Sequence, residues 1–172
     1  ENTEVCPITI KTGVIFMSKW PKYPLLYEVN TRVWMNELSS RADRALTLDK
    51  VPEEEINRIA RYGFHAIWLM GVWTTGSEPV KIARKHTALQ SEYRQALPDF
   101  TNEDVIGSPY AISAYDVPSH LGGQYALAIF RERLARRGIR LVLDFIFNHT
   151  ACDHQFVTEH PDAYIQGSPE DL

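Results

Sequence analysis

The hydrophobic positions fall into short blocks of alternating type along residues 25–150. Leu25 to Trp34 (LLYEVNTRVW) is rich in aromatic and β-branched residues and predicts a strand, with the polar Asn30, Thr31 and Arg32 towards its end. Pro52-Glu53-Glu54-Glu55 then opens a helix with its acids at the positive end of the helix dipole. Ile56, Ile59 and Ala60 supply an i, i+3, i+4 apolar stripe, Arg58 and Arg61 sit near the negative end, and Gly63 is placed to stop it. Phe64 to Trp73 (FHAIWLMGVW) follows as a nearly continuous apolar run, the pattern of a strand covered on both faces.

The same phrase recurs. Arg58-Ile59-Ala60-Arg61-Tyr62-Gly63-Phe64 is matched by Arg133-Leu134-Ala135-Arg136-Arg137-Gly138-Ile139, and each Arg-ended helix gives way at Gly to an apolar strand. The second such strand is predicted over Ile139 to Phe147 (IRLVLDFIF). A β-α-β-α-β core results, and right-handed crossovers make its sheet parallel. The long excursion from Thr74 to Leu121 contains a charged helical stretch, Pro79 to Ala96. Loops leaving the C-terminal ends of parallel strands build active sites, so this excursion is a functional candidate.

Length and charge narrow the picture. Three strands use the chain to residue 147 of 172. An eight-stranded (β/α) barrel needs about 250 residues, so these residues are either the first part of one or a small open sheet. Ser168-Pro169-Glu170-Asp171 reads as a helix start, and residue 1 is Glu rather than Met; together they favour part of a longer protein. The net charge of −4 removes the electrostatic reason to expect nucleic acid or an anionic membrane as partner. No apolar run approaches the roughly 20 residues of a membrane-spanning helix. The first residues lack the layout of a signal peptide, which favours a cytoplasmic protein. Cys6 and Cys152 fit no metal or redox spacing and are expected to be free thiols.

The sharpest chemical feature is Asp144 inside the run Leu141-Val142-Leu143-Asp144-Phe145-Ile146-Phe147-Asn148-His149. A carboxylate in an apolar strand is costly unless paired or hydrogen-bonded. Asp144, Ile146 and Asn148 share parity, so the acid and the amide are expected on one side. Two readings are open: a buried Asp held by a backbone or Arg partner with a solvent-facing Asn-His turn, or a ligand site at the top of a parallel sheet, with His149 donating to a ligand oxygen and Asp144 fixing a cationic neighbour. Asp153 and His154 follow, so a metal cluster of Asp144, His149, Asp153 and His154 is a further alternative, although its spacing matches no recognised zinc motif.

The second feature is Gly107-Ser108-Pro109-Tyr110-Ala111-Ile112-Ser113-Ala114-Tyr115-Asp116. Gly-Ser-Pro sets a turn, and the two tyrosines either pin the loop or present ring faces suited to the C–H face of a sugar. Trp73 is open to the same pair of readings, core packing or subsite lining, while His65 and His86 read as structural or surface residues.

Together these segments resemble the α-amylase family of glycoside hydrolases and transglycosidases. Asp144-Phe145-Ile146-Phe147-Asn148-His149 is similar to that family's third-strand motif, Asp-x-x-x-Asn-His. Pro109-Tyr110-Ala111-Ile112-Ser113-Ala114-Tyr115 is similar to its Gly-Tyr-Asp-Ile-x-Asp-Tyr loop after the second strand. Leu26-Tyr27-Glu28-Val29 resembles the first strand and Ala66-Ile67-Trp68-Leu69 the second.

The resemblance implies an α/β fold: about three β/α units from the N-terminal part of a TIM (β/α)8 barrel. Residues 1–24 would be an N-terminal extension, 25–150 the first three strands and two helices, and 151–172 the start of a small domain inserted after the third strand. It implies a retaining enzyme acting on α-glucosidic bonds by hydrolysis or glucosyl transfer. Partners would be oligo- or polysaccharides of α-linked glucose, or disaccharides like sucrose or trehalose.

Tyr110 would stack on the sugar before the scissile bond, His149 would hydrogen-bond its hydroxyl, and Asp144 would hold an Arg preceding the nucleophile. Asn148 matches a calcium ligand of the calcium-dependent members; otherwise no cofactor is required. Pro109 replaces a Gly and Ala111 and Ala114 replace two aspartates of the family pattern. The nucleophile, the acid/base and the third carboxylate lie on later barrel strands, so these 172 residues are expected to be inactive alone. A non-catalytic carbohydrate-binding barrel and the small metal-dependent hydrolase are the alternatives.

Overall fold

The computed structural model describes residues 20–168 and Glu170. Most of the expected N-terminal extension, Cys6, and the helix-start positions Pro169, Asp171 and Leu172 lie outside the described residues; Cys152 is an exposed free thiol.

Three parallel strands form the centre, β1 (Leu26–Asn30), β2 (Ala66–Met70) and β5 (Arg140–Leu143), in the order β1-β2-β5. Glu28 lies opposite Trp68 and Trp68 opposite Val142; one position on, Val29 lies opposite Leu69 and Leu69 opposite Leu143. Strand side chains alternate between faces, so the Val29 row and the Glu28 row face opposite ways. Val29, Leu69 and Ile67 are buried, and Leu143 packs partly buried, in a core completed by helices α1 (Thr31–Arg41), α2 (Glu53–Arg61) and α5 (Gly123–Ala135). Phe130 and Leu134 of α5, Ile56 and Ile59 of α2, and Trp34, Met35 and Leu38 of α1 supply most of that layer. Along the Glu28 row, Glu28 is exposed and Trp68 and Val142 are partly exposed.

All three strands are shorter than their sequence pattern predicts, each for a local reason. The first was expected through Trp34 but stops at Asn30, whose Oδ1 accepts the Val33 N–H at 3.3 Å and starts α1. From there Trp34, Met35 and Leu38 share one helical face and are buried, so tertiary packing overrides the strand preference of Val33 and Trp34. The second ends at Gly71, which takes φ +72°. The third was expected to Phe147 but leaves the ladder after Leu143, so parity no longer governs the residues beyond: Asp144 is buried and Asn148 exposed.

The helix repeat is present as α2 and α5, each followed by a glycine of positive φ, Gly63 at +78° and Gly138 at +73°. The two copies are tied together. Arg133 donates to Glu53 Oε1 and to the carbonyls of Asp49 and Val51, and Arg137 donates to Glu53 Oε2. The stretch predicted as one helix over 79–96 forms two, α3 (Ser77–Lys85) and α4 (Thr87–Ala96), broken at His86, whose Nδ1 accepts the Leu89 N–H. His65 is also structural: its Nδ1 accepts the Leu25 N–H at 3.0 Å and anchors the start of β1. A two-stranded antiparallel sheet, β3 (Thr74–Thr75) with β4 (Ile112–Ala114), closes the excursion over the C-terminal ends of the parallel strands, and a short α6 (Gln155–Glu159) follows. No described helix is long and apolar enough to cross a membrane.

Candidate functional site

Asp144 is the buried acid that the sequence pattern singles out, 8% exposed just past the end of β5. Its partners are neutral donors. Oδ2 accepts the backbone N–H of Gly71 at 2.6 Å and Oδ1 accepts the indole N–H of Trp68 at 2.9 Å, while its backbone carbonyl accepts the indole N–H of Trp73, also at 2.9 Å. The middle of β2 and the residue just after it therefore supply the donors to the carboxylate.

The loop carrying Tyr110 is packed onto the same spot. Gly71 lies so close to Pro109 that a Cβ there would sit 2.5 Å from the proline Cβ. Ser108 shapes the turn, its Oγ accepting the Tyr110 N–H at 3.2 Å and its carbonyl the Ala111 N–H. Arg32, at the start of α1, donates to the Ile106 carbonyl at 3.1 Å and to Thr75 Oγ1 at 3.0 Å, tying the loop to β3. Burial, then the negative charges of Asp144 and Glu28, push the Tyr110 phenol above the ordinary tyrosine value. Tyr110 thus feels the charges of both Asp144 and Glu28.

Asn148 and His149 stand elsewhere. Both are exposed, and they line a hollow of about 530 Å³ with Phe147, Phe156, Val157 and Tyr164, which neither Asp144 nor Tyr110 lines. Among the described residues, the structure brings Tyr110 and Asp144 together and places Asn148 and His149 in this adjoining hollow.

Three of the four residues of the metal alternative, Asp144, Asp153 and His154, are engaged separately. Asp153 Oδ2 accepts the backbone N–H groups of Ser77 and Glu78 at 2.8 and 3.0 Å, satisfying free donors at the start of α3. His154 Nδ1 accepts the Phe156 N–H at 3.0 Å and starts α6. Among the described residues no three His, Cys, Asp or Glu side chains gather as a ligand set. Of the alternative metal set Asp144, His149, Asp153 and His154, two members, Asp153 and His154, thus serve as helix caps.

Of the remaining aromatic candidates, Tyr115 pins the chain. Its hydroxyl donates to the Ile146 carbonyl and accepts the Ile146 N–H, both at 2.7 Å, and its ring meets Trp73 edge-on at 5.3 Å. Trp68, Gly71 and Glu28 escape a reading of local sequence. A signal for Trp68 was present: an indole N–H in an apolar strand needs an acceptor, and Asp144 is an acid in an apolar strand that needs a donor.

Several solved structures share this fold. An α-amylase from Lactobacillus plantarum superposes with a TM-score of 0.58 at 24% identity, over 83% of this chain and 27% of that one. A maltogenic α-amylase, AmyB, from Thermotoga neapolitana gives 0.57 at 22% identity, over 85% and 28%. A debranching enzyme from Nostoc punctiforme gives 0.50 at 18% identity, over 87% and 31%. No family model and no curated protein matches the sequence. The chain spans about a quarter of the length of the two amylases.

Proposed function

We propose that these residues form the first three strands of a (β/α)8 barrel that acts on α-glucosidic bonds by a retaining mechanism, and that their share of the work is to bind a glucosyl unit. The observation that carries the reading is that Asp144 and Pro109, the neighbour of Tyr110, both meet Gly71 just past the C-terminal end of β2, and such folds place their ligands at that end of a parallel sheet. An aromatic ring suits the apolar C–H face of a pyranose, and a carboxylate accepts from its hydroxyls. The fold shared with the two α-amylases supports the same reading.

In this reading Tyr110 stacks on the sugar and Asp144 orders the floor of the site. His149 reaches a sugar hydroxyl from the adjoining hollow, and Asn148 beside it is the position for a structural calcium ion. The nucleophile and the acid/base belong to barrel strands outside these 172 residues, so the contribution here is positioning and hydrogen bonding rather than bond-making.

The test is calorimetric titration with maltotriose, using cellotriose as the β-linked control. Binding of maltotriose that is lost in Tyr110→Ala supports the reading. No binding, or equal binding of both trisaccharides, overturns it. Retaining glucosidase turnover by the 172 residues alone would overturn the division of labour.

A further inference from the structure

Trp68 lies in the middle of β2, with Glu28 opposite on β1 and Val142 on β5. An indole carries one donor and no acceptor, so its hydrogen bond has a single direction. That bond goes to Asp144 Oδ1 at 2.9 Å, and Gly71 N–H takes Oδ2 at 2.6 Å. The Cβ–Cγ torsion of an aspartate is broad and two-fold, so one donor on each oxygen is what fixes the plane of this carboxylate. Each oxygen keeps lone-pair capacity for a further donor. Gly71 also abuts Pro109, the neighbour of Tyr110, so the stretch from Trp68 to Gly71 sets how Asp144 and Tyr110 stand relative to each other.

We propose that Trp68 is a positioning residue: its indole N–H locks the Asp144 carboxylate in one plane and so orders the floor of the site beside the Tyr110 loop. The identity of the ligand rests on the sugar-site reading above; the lock does not. Nothing in the likeness to solved structures assigns this part to Trp68, and it is carried by the two hydrogen bonds alone.

The variant is Trp68→Phe, which keeps an aromatic ring and removes the N–H. Maltotriose affinity is expected to fall about tenfold in Trp68→Phe and by less than about twofold when the same change is made in Asp144→Ala, because no acceptor is then left for the indole N–H to hold. A purely structural role would lower affinity by the same factor in both backgrounds, and that result, or no change in either, overturns the proposal. Absence of maltotriose binding by the wild-type chain would be a failure of the sugar reading instead. The lock is then decided by hydrogen exchange at the Trp68 indole of the wild-type protein. Exchange about 100-fold slower than free indole sustains it, and exchange at the free rate overturns it.

Discussion

The α-carbon of Gly71 lies against Pro109 with no room for a side chain, a Cβ there falling 2.5 Å from the proline Cβ. Its φ of +72° adds a second reason why an L side chain is excluded. Gly71→Ala is expected to cost about 1–3 kcal/mol from the backbone strain and the displaced loop. Urea unfolding reads the loss, and maltotriose titration reads the displacement of Tyr110. A wild-type midpoint would show that the loop does not rest on Gly71.

The ionisation of Tyr110 reports its burial first and the charges of two carboxylates second. Burial and the charges of Asp144 and Glu28 disfavour the phenolate, so Tyr110 is expected to ionise above the usual value of about 10. Ultraviolet titration of the wild type against Tyr110→Phe isolates this residue. Asp144→Asn and Glu28→Gln should each bring the midpoint down; if neither moves it, the three groups do not share one field.

Glu55 supplies a pH dependence of stability. Hydrogen bonds from Arg58, opposed by burial and reinforced by the Trp34 indole, hold its carboxyl below the usual carboxylate range. A depressed folded-state value means the stabilisation is fully present above the unfolded value of about 4.3 and is lost as pH falls through the folded one. The wild type should therefore melt above Glu55→Gln at pH 7, with the gap closing in acid. Thermal melts of both proteins between neutral and acid pH check this, and a gap independent of pH would contradict it.

Asp153 caps α3 from a distant part of the chain. Asp153→Ala frees the N–H groups of Ser77 and Glu78, and removing such a cap costs about 1 kcal/mol. Hydrogen exchange should accelerate at those two amides while the amides of β2 keep their protection. Unchanged exchange at Ser77 and Glu78 would show that water replaces the carboxylate without loss.

The parts of this fold that could be read in the sequence are those fixed by local spacing. The stripes of α2 and α5, their glycine stops and the apolar runs that follow are written within a few residues of each other. The end of β1 was hidden because Val33 and Trp34 favour strands in isolation, and the Asn30 cap with the burial of Trp34, Met35 and Leu38 makes the helix win. Asp144 stood out as an acid among apolar neighbours, but its donors arrive from β2 through a strand register that no local pattern encodes. His149 was placed with Asp144 by adjacency in sequence. Once the ladder ends at Leu143, adjacency no longer sets direction, and His149 stands in the neighbouring hollow.

The phenol of Tyr115 answers both polar groups of Ile146, where the ladder between β2 and β5 has already ended. Between Leu143 and Asn148 the backbone is thus moored by aromatic side chains, Trp73 at Asp144 and Tyr115 at Ile146, in place of strand pairing. A rim moored in this way hangs on the polar tips of two rings, while the strands beneath it keep their own ladder of hydrogen bonds.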